Sequence, residues 1–351
     1  MTLNELFQIG IDSKASDVHL VVGVPPLLRV DGELIDIPEK KALTNKELEQ
    51  MIYALLSEEE KKRFLAEKEL DLGFEMDDET RFRVNIHFER GNFGLVARII
   101  PNAIPTMDSL DLPKVVYDLI NLKQGLIMVT GPTGCGKSTS LAAMVNYING
   151  QRRCNIITLE DPIEYLFKSD KSVVIQRQLG SDMLSFSNGL KHALRQDPNV
   201  IMVGEMRDLE TIGTTITLAE TGHLVLATLH TYSAAQTIDR IIDTFPPHQQ
   251  GQVRMQLSMT LAGVISQRLL PKEGGGRTAA REIMINTPAV SNLIRENKIA
   301  QLRTVIETSS KEGMVSMDQD LKRLYTSKLI SKEVAQGQME NPELLEKFKF
   351  I

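Results

Sequence analysis

Tryptophan is absent from this 351-residue chain, and 6 tyrosines and 11 phenylalanines are its whole aromatic complement. Its cores therefore have to be assembled from aliphatic and methionine side chains. The two cysteines, Cys135 and Cys154, are too few for a metal cluster, and a disulfide at Cys135 would obstruct the glycine-rich loop around it. A reducing, cytosolic setting is expected. No run of 18 apolar residues occurs, and Glu5 and Asp12 interrupt the N-terminal apolar residues, so neither a spanning helix nor a signal peptide is expected. Any membrane contact would be peripheral. A net charge of −6 removes a global electrostatic reason to bind nucleic acid.

The length suits two domains with separate cores. Residues 1–100 read as a small α+β domain, with apolar runs at 18–22 and 27–30 and a hairpin signal at Asp31-Gly32. Thr44 with Glu47 and Ser57 with Glu60 read as capping boxes opening two helices. The charge run 58–63 pairs Glu58 with Lys62 and Glu59 with Arg63 on a solvated helix face. Residues 81–88 alternate strictly between polar and apolar, as a half-exposed strand does. The proline-rich stretch 101–113 reads as an interdomain linker. From 114 to 351, strands alternate with helices, as in a parallel sheet with crossover connections.

In that second domain Gly131-Pro132-Thr133-Gly134-Cys135-Gly136-Lys137-Ser138-Thr139 fills the pattern G-x-x-x-x-G-K-[ST] between an apolar strand, 125–130, and a breaker-free helix. Glycines there let successive backbone N–H groups face one anion, and the helix N-terminus adds partial positive charge. Lys137 is expected on the β- and γ-phosphates of ATP and the Ser138 hydroxyl on Mg²⁺.

Three further apolar runs, 155–159, 199–203 and 224–229, deliver polar residues where ligands gather in open parallel sheets, beyond the strands' carboxyl ends. The first leads to Glu160 and Glu164, the second to Glu205 and the third to His230. Hydrolysis of a phosphoanhydride needs a metal to offset charge and a group to orient water. Glu205 is the candidate for the water, Glu160 and Glu164 suit the metal's surroundings, and Ser138, Glu160 and Glu205 are the expected metal shell. His230 is placed to sense the γ-phosphate. His223 precedes the same strand, roughly 23 Å away along extended chain, so the two histidines cannot share a metal. A subunit contact near the nucleotide or a capping role is open for His223.

These segments resemble the secretion ATPase superfamily of type II secretion and type IV pilus motors, and most closely the pilus retraction ATPases of twitching motility, the PilT family. Residues 16–20 are similar to its N-terminal Ser-Asp-Leu-His-Leu, 131–139 to its Walker A, 157–165 to its Asp box, 194–208 to its Walker B signature and 221–230 to its His box. The resemblance implies an N-terminal PAS-like α+β domain followed by a RecA-like P-loop NTPase domain, assembled as a homohexamer with ATP between subunits. It further implies an inner-membrane platform protein and a paralogous pilus ATPase as partners, work at the cytoplasmic face of the inner membrane, and Arg81, Arg83 and Arg98 reaching nucleotide.

Three residues depart from the family pattern. Asn199 stands where aspartate is usual, Cys135 stands in the Walker A loop where it offers thiol reagents a target, and Ser291 replaces the first arginine of the retraction motif, read here at 289–296. Retraction motor and accessory retraction ATPase therefore both stay open. A related extension or export ATPase is less expected, because those resemble longer chains with extra N-terminal domains and a four-cysteine metal site, and this chain has two cysteines. A RecA-like DNA translocase would call for a basic–aromatic strip, and a nucleotide-binding scaffold would call for loss of Lys137, Ser138 or Glu205.

Overall fold

Strict alternation places one face of the first sheet against a core and leaves the other polar. In the computed structural model, which describes residues 2–30, 32–76, 80–100 and 103–346, the chain divides into two units, Met1–Ala103 with Pro162–Leu166, and Ile104–Asp161 with Phe167–Ile351. The first unit holds β1 (Asp17–Val21), β2 (Leu27–Val30), β3 (Glu33–Asp36), β4 (Glu69–Glu75), β5 (Arg81–Glu89) and β6 (Asn92–Ile100) in the order β3-β2-β1-β6-β5-β4. Every adjacent pair is antiparallel. Phe82, Val84 and Ile86 are fully buried, and Phe82 stacks on Phe7 of the first helix with ring centroids 4.3 Å apart. Both expected capping boxes form, Thr44 with Glu47 and Ser57 with Glu60. In the charged helix, Arg63 pairs with Glu67 at 3.1 Å. Asp31 of the hairpin signal lies outside the described residues.

The second unit is built on β7 (Gly125–Thr130), β8 (Asn155–Glu160), β9 (Val173–Gln178), β10 (Val200–Val203), β11 (Leu224–Leu229), β12 (Leu261–Pro271) and β13 (Arg277–Ile285), ordered β13-β12-β7-β11-β10-β8-β9. All pairs are parallel except β12 with β13. Parallel strands covered on both faces read as continuous apolar runs, because successive side chains enter different cores. Leu126, Met128, Ile201, Val203, Val225 and Ala227 enter one core, while Ile127, Val129, Val200, Met202, Leu224 and Leu226 enter the other beside Leu141, Met144 and Ile148 of the helix Lys137–Gln151. Met314 and Met317 are buried, as core methionines should be.

The stretch expected as a linker differs. Pro101 and Asn102 lie outside the described residues, but Ile104 onward belongs to the second unit, because Met107 and Leu112 bury themselves with Val116 in its core. Arg281, 3% exposed, donates to Leu110 O at 2.8 Å and Asp111 O at 3.0 Å. Asp320 accepts from the Arg281 backbone N–H and from Arg323 Nε, both at 2.7 Å. Removing a buried acceptor leaves its donors and the neighbouring cation uncompensated. Asp320→Ala is therefore expected to cost about 3 kcal/mol, seen as a lower midpoint in chemical denaturation.

Candidate nucleotide site

β7 ends in a turn that only glycine can make. At Gly131, φ is +144°, and a Cβ would stand 2.2 Å from the carbonyl oxygen of Gln267 and 2.6 Å from Cys135 Sγ. The helix Lys137–Gln151 then starts at Gly136 with no side chain capping it, which leaves first-turn N–H groups for an outside acceptor. Ser138 is exposed and Thr139 half-buried on that turn. Lys137 is buried, and its Nζ donates to Gly131 O at 2.8 Å and Pro132 O at 3.1 Å.

The carboxyl ends of β7, β10 and β11 lie side by side, which brings Lys137, Glu205 and His230 together. His230 Nδ1 is 3.5 Å from Lys137 Nζ and 3.4 Å from Thr133 Oγ1, and His230 Nε2 is 3.3 Å from Glu205 Oε1. An ammonium only donates, so this geometry makes Nδ1 the acceptor and puts a proton on Nε2, aimed at the carboxylate. Glu205 Oε2 pairs with Arg207 at 2.8 Å, and Arg207 reaches Asp161 at 3.9 Å. The Glu205 turn is fixed by backbone bonds from Gly204 N to Leu159 O and Met206 N to Thr228 O, and by Thr228 Oγ1 donating to Gly204 O.

Burial by itself raises the Glu205 carboxyl, but the hydrogen bond and charge of Arg207, with His230 and Lys137, outweigh it and hold the group below the usual carboxylate range. Two cavities open at this edge. One of about 580 Å³ is lined by Glu205, Arg207, His230, Gln236, Asp239 and Arg240 among others, and one of about 530 Å³ by Pro132, Thr133, Gly134, Tyr232 and Arg268 among others.

Glu160 ends β8 next to Gly204, its Cα 3.3 Å from where a Cβ at Gly204 would be. It is 7% exposed and accepts from Thr158 Oγ1 at 2.7 Å and Gln176 Nε2 at 3.0 Å through Oε1. The remaining expected site residues stand elsewhere. Glu164 belongs to the first unit, 3.9 Å from Arg83. In that unit Arg98 pairs with the buried Asp17 at 2.9 Å, and Arg81 lies 3.7 Å from Glu75, packed over Gly73. His223 is at the opposite edge of the sheet from Glu205, before β11. Its Nδ1 bonds Leu218 O at 2.9 Å and Thr221 Oγ1 at 3.2 Å, so the ring closes its own helix end and, within this chain, does not line the phosphate loop.

Cys135 also departs from expectation. It is 3% exposed, and burial raises its thiol above the ordinary range against the opposing pull of Lys137 and nearby hydrogen bonds. Its side chain turns inward because the loop folds down against β12, so it is not an open target for reagents. Asn199 accepts the Asn155 backbone N–H through Oδ1 at 2.8 Å, which accounts for a short oxygen-bearing side chain there. Arg207 was not singled out among the site residues in the sequence, although it lies two residues beyond Glu205 in the same loop.

The model of the family described as type II/IV secretion system protein matches residues 2–274. The chain belongs to this family. It is 47% identical over 345 residues to the type IV pilus retractation ATPase PilT of Pseudomonas aeruginosa, spanning 98% of this chain and 99% of that one. It is 38% identical over 336 residues to the type IV pilus ATPase PilU of the same organism, spanning 95% and 88%. A crystal structure of the pilus retraction motor PilT with bound ADP superposes with a TM-score of 0.92 at 44% identity, covering 99% of this chain and 100% of that one. The mixed α/β architecture is thus that of the secretion family, and no helix among the described residues is long and apolar enough to cross a membrane.

Two outcomes follow for this member of the family. With Arg207→Met the Glu205 carboxyl is expected to titrate at higher pH than in the parent chain, read by carbon NMR. Because the parent's folded pKa is depressed, its preference for the carboxylate holds above the unfolded value and is lost as pH falls through the folded one. Alkylation of the folded chain is expected to modify the half-buried Cys154 first, with Cys135 reacting at full rate only after denaturation.

Proposed function

We propose that this chain is an ATP-hydrolysing motor that powers type IV pilus retraction. The observation that carries the reading is the contact chain from Lys137 through His230 to Glu205 at the mouth of an uncapped, glycine-built loop. Full-length similarity to a pilus retractation ATPase supports it.

In this reading the loop N–H groups take the phosphates, and Lys137 exchanges the carbonyls of Gly131 and Pro132 for phosphate oxygens. Glu205, kept ionised beside Arg207, orients the attacking water and accepts its proton. His230 touches both Lys137 and Glu205 and so links occupancy of the loop to the carboxylate. The residues fit Mg²⁺ with ATP: among the described residues no group of three His, Cys, Asp or Glu is placed to hold a metal alone, whereas the exposed Ser138 hydroxyl beside the loop suits an ion shared with phosphate oxygens. When bound, that ion supplies charge neutralisation on the phosphates. Glu160 is proposed to stand behind it rather than on it, since its Oε1 already accepts two hydrogen bonds.

The wider assembly is proposed as a homohexamer acting on an inner-membrane platform protein, with Arg83 and Arg98, whose side chains are 39% and 62% exposed, serving nucleotide held by another copy. An accessory retraction ATPase is the second reading. Ser291 favours it, because its Oγ donates to Ser258 O at 2.7 Å where the retraction motif has an arginine.

Glu205→Gln is expected to keep ATP binding and to lower turnover by about a hundredfold or more. Unchanged turnover in that variant would refute the catalytic assignment. Deleting the gene separates the roles: surplus surface pili without twitching mark the retraction motor, and near-normal twitching marks the accessory one.

A further inference from the structure

We infer that Gln267 is a positioning residue for the phosphate loop, setting the direction in which the Gly136 N–H points. This rests on the nucleotide-site reading above. Gln267 lies in β12, beside β7, and is 1% exposed. A primary amide so fully buried is costly unless both of its ends are bonded. Here both are: Nε2 donates to Cys135 O at 2.8 Å, and Oε1 accepts from Ser140 Oγ at 3.0 Å. Ser140 is itself 3% exposed, on the first turn of the helix Lys137–Gln151. The amide therefore joins the last stretch of the loop to the start of the helix.

The consequence comes from the peptide plane. In a trans peptide the carbonyl of residue i and the N–H of residue i+1 point to opposite sides. With Cys135 O drawn inward onto Gln267, the Gly136 N–H is turned outward, toward the concave side where an anion would sit. The neighbouring contacts hold the same arrangement. The Gln267 backbone oxygen fills the space beside Gly131, its Nε2 lies 3.4 Å from where a Cβ at Gly136 would be, and one residue earlier Ser266 Oγ bonds Thr130 Oγ1 at 2.8 Å. β12 thus braces both ends of the loop. The polar run Ser266-Gln267-Arg268 inside the mainly apolar strand Leu261–Pro271 is the trace of this in the sequence.

The test titrates inorganic pyrophosphate and MgADP into the full chain by calorimetry, for the parent, Gln267→Met, Gln267→Glu and Ser140→Ala. Gln267→Met keeps the volume without either bond; Gln267→Glu keeps the acceptor for Ser140 without the donor to Cys135. Both are expected to bind pyrophosphate and MgADP about tenfold more weakly, by the same factor for each ligand and at undiminished stoichiometry. Equal factors place the loss at the phosphates, and full stoichiometry excludes a misfolded fraction. Ser140→Ala leaves the Cys135 bond and is expected to lose less than threefold. Parent-like pyrophosphate affinity in either folded Gln267 variant, or a loss in Ser140→Ala as large as in Gln267→Met, would overturn the assignment. If the parent itself binds neither ligand, the nucleotide-site reading fails instead.

Discussion

A buried lysine is tolerable only if its ammonium has acceptors, and that requirement organises the second unit. Lys137 meets it with two loop carbonyls, Gly131 O and Pro132 O, and with His230 Nδ1 at the limit of hydrogen-bond reach. The same imidazole faces Glu205 from its other nitrogen. The cation that would hold phosphate and the carboxylate that would orient water are thereby neighbours of one ring, and a change at either end is felt at the other.

The fold exists, in effect, to deliver those three side chains to one edge. Parallel pairing aligns the carboxyl ends of β7, β10 and β11, and burial on both faces makes the strands too well packed to slip. Their ends can then afford polar and strained backbone: Gly131 at positive φ, the Gly204 carbonyl tied to Thr228, and Glu205 held ionised by Arg207 against the effect of its own burial.

Much of this was legible in the residues alone. The four central strands are largely apolar runs, three closed by Gly or acid and β11 by His230, and burial on two faces leaves few other ways to write them. β4 and β9 were not recognised, because both are edge strands: Glu69, Asp71 and Glu75 face solvent in one, and Gln176, Arg177 and Gln178 dilute the other. The linker was overextended since prolines mask the spaced Met107 and Leu112 that anchor it. A cysteine in the Walker A loop reads as a target for thiol reagents, but the Cys135 thiol is buried against β12, a long-range contact that local pattern does not encode. For His223 the sequence leaves a subunit contact or a capping role open, and within this chain hydrogen bonding commits it to a helix end; Glu164 follows the end of β8 in sequence, but packing commits it to the first unit.

The most direct measurement is a crystal structure with Mg²⁺ and a nonhydrolysable ATP analogue. The account predicts Lys137 Nζ withdrawn from the two carbonyls onto phosphate oxygens, with Glu205 and His230 flanking the terminal phosphate. A loop that stays empty at saturating analogue, with the ammonium still seated on Gly131 and Pro132, would contradict it.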